Sequence, residues 1–305
     1  MKIAFMGTPA LAVPCLDALA QHHEIAVVVS QPDIIGGRGH KIIAPPVKER
    51  ALEIGAPVLK PRRARDEEFI EELRAYAPDA IAVVAFGQIL PQAILDMAPR
   101  GCVNLHYSLL PRWRGAAPVQ YAIWNGDKTT GVTTQWMAAK LDAGEVIQQI
   151  EVEIENGETA DELFPRLNEI GARVLVETFD LLERGTAPRV PQDESQITLA
   201  AQIEKDDAKI NWAMSAEKIV NTARAWSAWP VAWCDYGGAP LKITRAQIVD
   251  KMGEAGTILE LDKAGPIVAA GEKAVQLLEV QAPGKPKMNA SDWARGARLG
   301  VGAKF

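Results

Sequence analysis

The sequence predicts an α/β protein with two parts, an N-terminal doubly wound parallel sheet and a C-terminal β-barrel. Two observations carry this prediction. Residues 2–7 and 25–30 are short apolar strand patterns on either side of a helical pattern, and a strand–helix–strand order is typical of a doubly wound sheet. Between residues 231 and 281, five short strand patterns alternate with turn residues, which is typical of a small closed barrel.

Composition and charge indicate a soluble enzyme rather than a membrane protein or a general nucleic-acid binder. The chain has 305 residues, 48% of them hydrophobic, and a net charge of −6, which is enough for roughly two domains around a large core. No apolar run approaches the length of a membrane span, and no signal-peptide pattern follows Met1. We therefore expect a cytoplasmic protein with no membrane partner.

The cysteines and histidines give no sign of a metal site. Cys15, Cys102 and Cys234 are far apart and form no Cys-x-x-Cys pair, and the four histidines lack ligand spacing. We expect reduced cysteines that pack in the core, and no metal.

The remaining elements of the N-terminal part continue the alternation of strands and helices. We predict strands over residues 58–60, 79–86, 131–137 and 145–153, and helices over residues 47–54, 66–76, 117–124 and 161–182. The run at 79–86 is almost entirely apolar, as a central parallel strand requires. The Gly- and Pro-containing stretch from residue 184 to about residue 207 breaks the periodicity and is interpreted as a linker.

The segment from Gln31 to Pro46 is too long for an ordinary strand-to-helix connection. It contains three Gly and three Pro, and long loops of this kind in α/β proteins are usually functional or disordered. Arg38 and Lys41 could contact a phosphate backbone from a glycine-rich tip. A solvated flexible loop explains the same residues equally well.

The C-terminal part contains a tryptophan cluster and a small excess of positive charge. Residues 237–305 hold ten Lys and Arg against seven Asp and Glu, a balance of 10 − 7 = +3, which is weak support for a phosphate-binding face. Helix 215–225 precedes the barrel. We interpret Trp212, Trp226, Trp229 and Trp233 as packing residues between this helix and the barrel rather than as stacking platforms.

Candidate catalytic residues lie near the middle of the chain, on the strand that begins after Gly101. Asn104 and His106 are two residues apart, so a strand sends both side chains to one face. An amide donor and an imidazole together can stabilise an oxyanion and move a proton. Asp142 follows the next strand and could approach His106. The alternatives are a pair of satisfied polar residues and a turn-forming aspartate.

Two loops at the carboxyl ends of predicted strands form a candidate binding pocket. The first follows strand 79–86 and runs from Gly87 to Pro91, and the second runs from Ser108 to Pro111. Ligands of open α/β sheets bind outside the carboxyl ends of the strands. We therefore expect these two loops to line one pocket.

Several motifs resemble those of the folate-dependent formyltransferases. They are Asn104-Leu105-His106, Ser108-Leu109-Leu110-Pro111-Arg112-Trp113-Arg114-Gly115-Ala116-Ala117-Pro118, Thr130-Gly131-Val132-Thr133 and Leu141-Asp142-Ala143-Gly144. Gly7-Thr8-Pro9, Gln31-Pro32-Asp33, Gly37-Arg38-Gly39 and Pro46-Val47-Lys48 narrow the resemblance to the branch that formylates initiator methionyl-tRNA. The resemblance covers nearly the whole chain.

The resemblance implies a fold, substrates and residue roles. It implies a Rossmann-like catalytic domain over residues 1–185, a linker over 186–207 and a tRNA-binding domain like an OB-fold over 208–305. It implies 10-formyltetrahydrofolate as formyl donor and initiator methionyl-tRNA as acceptor. We expect a monomer without a metal. The implied catalytic residues are Asn104, His106 and Asp142. The implied folate contacts are Phe86, Gly87, Ile89, Leu90, Ser108, Leu109, Leu110 and Pro111, and the implied tRNA contacts are Arg38 and Lys41.

The sequence departs from the usual family pattern at a few positions. Tyr107 stands where a small residue is usual, Ile34-Ile35 replaces a more polar start of the long loop, and Leu199 and Gln202 stand where Tyr and Lys are common. A sugar-nucleotide N-formyltransferase or a formyltetrahydrofolate hydrolase would share the catalytic trio and the folate loop. A non-catalytic RNA-binding protein would leave the trio unexplained.

Overall fold

The computed structural model describes residues 1–36 and 41–305, and these divide into two compact units. The first unit consists of Met1–Gly115, Thr130–Val152 and Phe164–Leu199. The second unit consists of Ala116–Thr129, Glu153–Leu163 and Ala200–Phe305. The linear domain boundaries at residues 185 and 207 remain predictions.

The described elements follow the predicted order closely. The strands are β1 (Lys2–Gly7), β2 (Glu24–Val29), β3 (Ile34–Gly36), β4 (Lys41–Ile43), β5 (Val58–Leu59), β6 (Ala80–Val84), β7 (Cys102–His106), β8 (Arg114–Gly115), β9 (Thr129–Trp136), β10 (Val146–Glu153), β11 (Leu199–Ala200), β12 (Trp233–Tyr236), β13 (Ala239–Val249), β14 (Ile258–Leu261), β15 (Pro266–Ala269), β16 (Ala274–Gln281) and β17 (Met288–Asn289). The helices are α1 (Val13–His22), α2 (Pro46–Glu53), α3 (Glu67–Ala75), α4 (Gln92–Leu95), α5 (Pro118–Trp124), α6 (Ala160–Arg184), α7 (Ala216–Ala225) and α8 (Ala290–Gly296).

A mixed seven-stranded sheet forms the centre of the first unit, in the order β10-β9-β7-β6-β1-β2-β5. β1 pairs in parallel with β2 and β6, β6 pairs in parallel with β7, and β9 runs antiparallel to β7. Every residue of β6 is buried, because parallel strands of this kind are covered on both faces. The predicted doubly wound α/β architecture is confirmed.

An antiparallel sheet forms the second unit, in the order β12-β13-β16-β15-β14, with β17 paired to β16. Gly237 and Gly238 have φ of 58° and 79°, values that suit the tight turn between β12 and β13. The hydrogen-bonded path ends at β12 and β14. The predicted C-terminal β-structure is therefore confirmed, and it forms a half-barrel rather than a closed barrel. Its core contains apolar residues of α7, the sheet and α8.

Two predictions about local structure are wrong. The segment 31–46 is not an irregular loop throughout, because β3 and β4 pair as an antiparallel hairpin in which Ile34 lies opposite Ile43. Among the described residues that suggested a loop, Gly36 ends β3 and the prolines lie outside both strands. Trp212 and Trp226 are buried as predicted, but Trp229 is 61% exposed and is no packing residue.

The thiols of Cys15, Cys102 and Cys234 are all buried and free of disulfide bonds. Burial raises the pKa of Cys15 and of Cys234 to about 12. The part of the chain that the structure describes has no helix long and apolar enough to cross a membrane.

Candidate active site

β7 places Asn104 and His106 on one face of the sheet of the first unit. Their strand neighbours Val103 and Leu105 are buried on the opposite side. In the antiparallel pairing with β9, Asn104 lies opposite Gln135 and His106 lies opposite Thr133. The predicted shared face of the two polar side chains is therefore present in the structure.

The imidazole of His106 is buried and held at one nitrogen. Its Nε2 lies 2.8 Å from the carbonyl oxygen of Trp113. A carbonyl only accepts, so Nε2 carries the proton and donates. The other nitrogen, Nδ1, faces Oδ2 of Asp142 at 3.8 Å, a separation too long for a hydrogen bond. Nδ1 is therefore the ring nitrogen that remains available for other contacts.

Asp142 has both carboxylate oxygens occupied by donors. Oδ1 accepts from Nε2 of Gln135 at 3.0 Å, and Oδ2 accepts from the backbone N–H of Gly115 at 2.9 Å. The two donated bonds fix the direction in which the carboxylate points. The predicted approach of Asp142 to His106 is present, and the structure adds Gln135 and Gly115 as the groups that hold the carboxylate there.

The carboxamide of Asn104 has a different environment. The residue is half-buried, and within residues 1–36 and 41–305 no hydrogen bond joins its side chain to another group of the chain. A half-buried amide of this kind has its donors free for a bound molecule. Asn104 therefore differs from a structural asparagine that caps a turn.

Tyr107 points away from these polar groups. Its ring makes an edge-to-face contact with Phe164, with centroids 6.2 Å apart. Gly171 of α6 gives Leu105 and Tyr107 room, since a Cβ there would lie 3.0 Å from Leu105 Cδ2 and 3.5 Å from Tyr107 Cε1. Burial raises the pKa of the Tyr107 hydroxyl well above its usual range. The large residue at this position is therefore accommodated in the core.

The loop that follows β7 is held rigidly by hydrogen bonds. The carbonyl of Ser108 accepts from Oγ1 of Thr133 at 2.6 Å, and the Ser108 hydroxyl donates to the carbonyl of Arg112 at 2.6 Å. Nε2 of Gln149 donates to the carbonyl of Leu110 at 2.7 Å. These bonds tie the loop to β9 and β10. The segment 108–112 is therefore a preformed surface.

The predicted folate residues divide into buried and accessible groups. Phe86, Ser108, Leu110 and Leu90 are buried. Ile89 is 82% exposed, Gly87 is exposed, and Leu109 and Pro111 are half-buried. The loops follow β6 and β7, which are adjacent parallel strands, so both lie at the same edge of the sheet. The accessible members form an apolar surface there, and the buried members support it.

The predicted tRNA contacts cannot be placed in the same way. Arg38 lies outside the described residues. Lys41 belongs to β4, but its side chain also lies outside what the structure describes.

Sequence reasoning missed three polar residues near Asp142. Gln135 was detectable in principle, because it lies on the same antiparallel pair of strands as Asn104. Arg114 is 3% exposed and lies in the quoted motif without an assigned role. Gln192 lies in the stretch interpreted as linker, where no periodicity marks it.

Comparison with known proteins places this chain among the formyltransferases. Residues 1–179 match the family described as "Formyl transferase", and residues 202–298 match "Formyl transferase, C-terminal domain". The methionyl-tRNA formyltransferase of Moorella thermoacetica is 46% identical over 97% of this chain and 96% of its own length. That of Geobacillus thermodenitrificans is 45% identical over 100% of this chain and 97% of its own length.

A solved structure shares the fold at low sequence identity. The N-formyltransferase of Helicobacter canadensis, crystallised with folinic acid and dTDP-3-aminofucose, has a TM-score of 0.67 and 17% identity, and the match covers 91% of this chain and 99% of that one. Full-length identity to the bacterial enzymes, rather than this shared fold, decides the assignment. The chain belongs to the methionyl-tRNA formyltransferase family.

Proposed function

We propose that this protein transfers the formyl group of 10-formyltetrahydrofolate to the α-amino group of initiator methionyl-tRNA and thereby supports translation initiation. The observation that carries the proposal is the convergence of Asn104, His106 and Asp142 at one position of the first unit, in a chain 46% identical to a methionyl-tRNA formyltransferase. A binding protein without catalysis would not need a free amide, an imidazole and an oriented carboxylate at one point.

His106 and Asp142 act on the attacking amine. Nδ1 of His106 and Oδ2 of Asp142 lie 3.8 Å apart. A proton that leaves the α-amine can be accepted by this pair of atoms. Trp113 holds the ring through Nε2, so Nδ1 is the nitrogen that meets the reacting atoms. The carboxylate stabilises positive charge on the ring as the proton moves. No covalent bond to the protein is needed.

Asn104 stabilises the negative charge that develops on the formyl oxygen. Attack by the amine produces a tetrahedral centre, and the amide N–H of Asn104 is a preorganised donor to its oxygen. The centre then collapses as the bond between the formyl carbon and the donor's nitrogen breaks. That nitrogen takes up the proton that the α-amine lost, so tetrahydrofolate leaves and His106 and Asp142 return to their starting state. The amide N–H of Asn104 makes no other hydrogen bond within the described residues, so it needs no rearrangement to act. A donor that strengthens in the transition state accelerates the reaction itself.

The residues at the sheet edge fit a folate donor. Ile89, Leu109 and Pro111 present accessible apolar surface, which suits a flat aromatic ring system. The held loop 108–112 keeps its backbone groups in place for the polar edge of such a ring. The donor supplies an activated formyl group, and the chain supplies its position relative to Asn104 and His106.

We propose that Arg38 and Lys41 grip the acceptor arm of the tRNA. Their support is the motif Gly37-Arg38-Gly39 and the basic residue Lys41 two positions after it. Arginine and lysine position a nucleic acid mainly through its phosphates. We also propose that residues 1–185 carry out catalysis, that residues 186–207 are a linker and that residues 208–305 bind tRNA. The family matches over residues 1–179 and 202–298 support this division.

We further propose that the protein acts as a cytoplasmic monomer. Asn104, His106 and Asp142 all belong to one unit of one chain, so the site needs no residue from a second copy. Three thiols without disulfide bonds suit a reducing compartment. Sedimentation of the purified protein at assay concentration tests the oligomeric state.

The test is mass spectrometry of methionyl-tRNA after incubation with the protein and 10-formyltetrahydrofolate. We expect the methionyl group to gain one formyl group, and uncharged tRNA to remain unchanged. A dTDP-amino sugar offered in a parallel reaction tests the activity suggested by the Helicobacter canadensis protein. Formylation of the sugar without formylation of methionyl-tRNA would contradict the proposal.

Arg38→Ala tests the proposed grip on tRNA. We expect slower transfer to methionyl-tRNA, unchanged folate binding, and a tRNA affinity that falls less steeply with salt than that of the wild type, because one phosphate contact is lost. Arg173→Ala, a change on the exposed surface of α6, is the matched control. Full activity of Arg38→Ala with an unchanged salt dependence would remove Arg38 from the interface.

A further inference from the structure

The side chain of Gln192 makes several hydrogen bonds around Asp142, although no sequence pattern marks this residue. It lies in the stretch after α6, and the backbone there is fixed because Val190 and Val146 exchange hydrogen bonds of 2.8 and 3.0 Å. The indole of Trp136 also donates to the carbonyl of Pro188 at 2.9 Å. The stretch is thus attached to the first unit, and Gln192 enters its polar interior.

The amide nitrogen of Gln192 holds the turn that carries Asp142. Nε2 donates to the carbonyl of Asp142 at 2.9 Å and to the carbonyl of Gly144 at 2.7 Å. Asp142 has a φ of 48°, a conformation that L-residues other than glycine adopt infrequently. A Cβ on Gly144 would lie 1.6 Å from the carbonyl oxygen of Trp136, so the turn is closely packed at this glycine.

The amide oxygen of Gln192 holds Arg114. It accepts from Nε at 3.0 Å and from Nη2 at 2.7 Å, and Arg114 is only 3% exposed. Within residues 1–36 and 41–305, no carboxylate forms an ion pair with Arg114. The next residue, Gly115, donates its N–H to Oδ2 of Asp142. One side chain therefore links the turn of Asp142 to the strand that holds its carboxylate.

We infer that Gln192 is the positioning residue of the Asp142 carboxylate in formyl transfer, an inference that rests on the proposed function. Loss of its amide leaves the carbonyls of Asp142 and Gly144 without their donor. The turn then relaxes, and Oδ2 moves relative to Nδ1 of His106. A small misplacement of a catalytic group can reduce a rate by about a hundredfold. Gln192 acts through Asp142 and touches neither substrate.

Two substitutions separate the contacts of Gln192. Gln192→Met removes both the donor and the acceptor at similar size. Gln192→Glu keeps an oxygen for Arg114 but places a second oxygen against the two carbonyls of the turn. We expect kcat to fall at least about tenfold in both variants, with KM for both substrates within about twofold. Gln196→Met, an exposed glutamine bonded to Asp193, is the matched control and should match the wild type.

A spectroscopic measurement distinguishes positioning from a structural role. The chain has four histidines, so ¹⁵N labelling of histidine resolves the ring nitrogens of His106 in the free protein. We expect Nδ1 of His106 to shift in both Gln192 variants while Nε2, held by Trp113, stays near its wild-type position. This measurement needs no substrate, so it tests the inference even if the wild type fails to formylate methionyl-tRNA and the proposed function falls.

Addition of Gln192→Met to Asp142→Asn supplies the final check. If Gln192 acts through Asp142, the double variant should be no slower than Asp142→Asn alone. The inference would be overturned by a kcat of the Gln192 variants within twofold of wild type, or by an unshifted Nδ1 signal of His106 in them. Fully additive losses of rate in the double variant would also overturn it. If Gln192→Met does not fold, Gln192→Glu carries the same measurements.

Discussion

The charged groups of the candidate site in the first unit and two ion pairs of the second unit have opposite environments. In the first unit, the side chains of His106 and Asp142 are 7% and 10% exposed, and Asp142 is held by a backbone N–H and by Gln135. In the second unit, Lys209 and Asp235 form an ion pair with side chains 48% and 61% exposed. Arg245 and Glu162 are similarly exposed at 50% and 45%.

The difference teaches where charge serves chemistry and where it serves solubility or local stability. Buried polar groups hold one geometry because every alternative leaves a donor or acceptor unsatisfied. Exposed ion pairs are screened by water and contribute about 0–1 kcal/mol each. Substitutions of the buried groups around His106 and Asp142 should therefore change rates strongly, whereas substitutions of exposed pairs in the second unit should change stability slightly.

The largest expected effect comes from His106→Ala and Asn104→Ala. Each removes a group that faces the reacting atoms. Loss of an oxyanion donor such as Asn104 typically costs about a hundredfold or more in rate, and loss of a general base such as His106 costs about a hundredfold to ten-thousandfold. Both variants should keep the wild-type unfolding midpoint within a few degrees. His22→Ala, an exposed histidine at the end of α1, is the control, and single-turnover formylation of methionyl-tRNA is the measurement.

Near wild-type rates in either variant would contradict the placement of the reaction at β7. A large drop in the unfolding midpoint, together with the loss of rate, would instead make the residue part of the fold. The buried polar groups of the first unit would then serve stability rather than catalysis.

A smaller loss, at least about tenfold, is expected for Asp142→Asn. The amide cannot balance positive charge on His106, and its NH₂ must face either the N–H of Gly115 or the NH₂ of Gln135, both of which are donors. Asp66→Asn, at the exposed start of α3, controls for the same chemical change. Measurement of kcat against pH should show both a lower rate and an altered profile.

An unchanged rate with an unchanged pH profile would reduce Asp142 to a turn residue. The buried hydrogen bonds around it would then serve the fold alone.

The sequence is informative where a period or a strand end constrains the answer. Apolar runs with polar ends predicted β1, β6 and β7, and the two-residue spacing predicted the shared face of Asn104 and His106. Asp142 was expected near His106 because both follow strands of one sheet. Each of these inferences starts from a local pattern. The regular geometry of a sheet then determines on which face or at which edge the residue lies.

The sequence is uninformative where the decisive contact is distant or the side chain is ambiguous. Gln192 is 50 residues from Asp142, and no spacing rule connects a polar residue in an irregular stretch with such a partner. Tryptophan suits both a core and a surface, so Trp226 and Trp229 could not be separated before their exposure was known. The hairpin β3–β4 was missed because its strands have three residues each.

The smallest expected effect concerns Glu162 at the start of α6 in the second unit. Its carboxylate accepts from the backbone N–H and the hydroxyl of Thr159, each at 2.9 Å, and pairs with Arg245. The first of these bonds is the largest cause, Arg245 the next, and together they lower the pKa of Glu162 from 4.5 to about 2. The acidic residue also completes a capping arrangement with Thr159.

A lowered folded-state pKa fixes the sign of the pH dependence. The unfolded chain takes up the proton near pH 4.5 and the folded chain only near pH 2, so the stabilisation is present above about pH 4.5 and is lost as the pH falls towards 2. Glu162→Gln should lower the free energy of unfolding at pH 7 by less than about 1 kcal/mol, because both partners are about half exposed. Its difference from wild type should shrink steadily below pH 4.5.

Urea unfolding at pH 7, 4.5 and 3, followed by tryptophan fluorescence, measures that difference. Glu169→Gln, an exposed residue of the same helix, controls for the loss of one negative charge and should show no such convergence. A Glu162→Gln difference that stays constant from pH 7 to pH 3 would mean that the carboxylate contributes nothing through its charge. A loss of several kcal/mol at pH 7 would instead place this exposed pair among the interactions that hold the second unit together, and the contrast between the two units would fail.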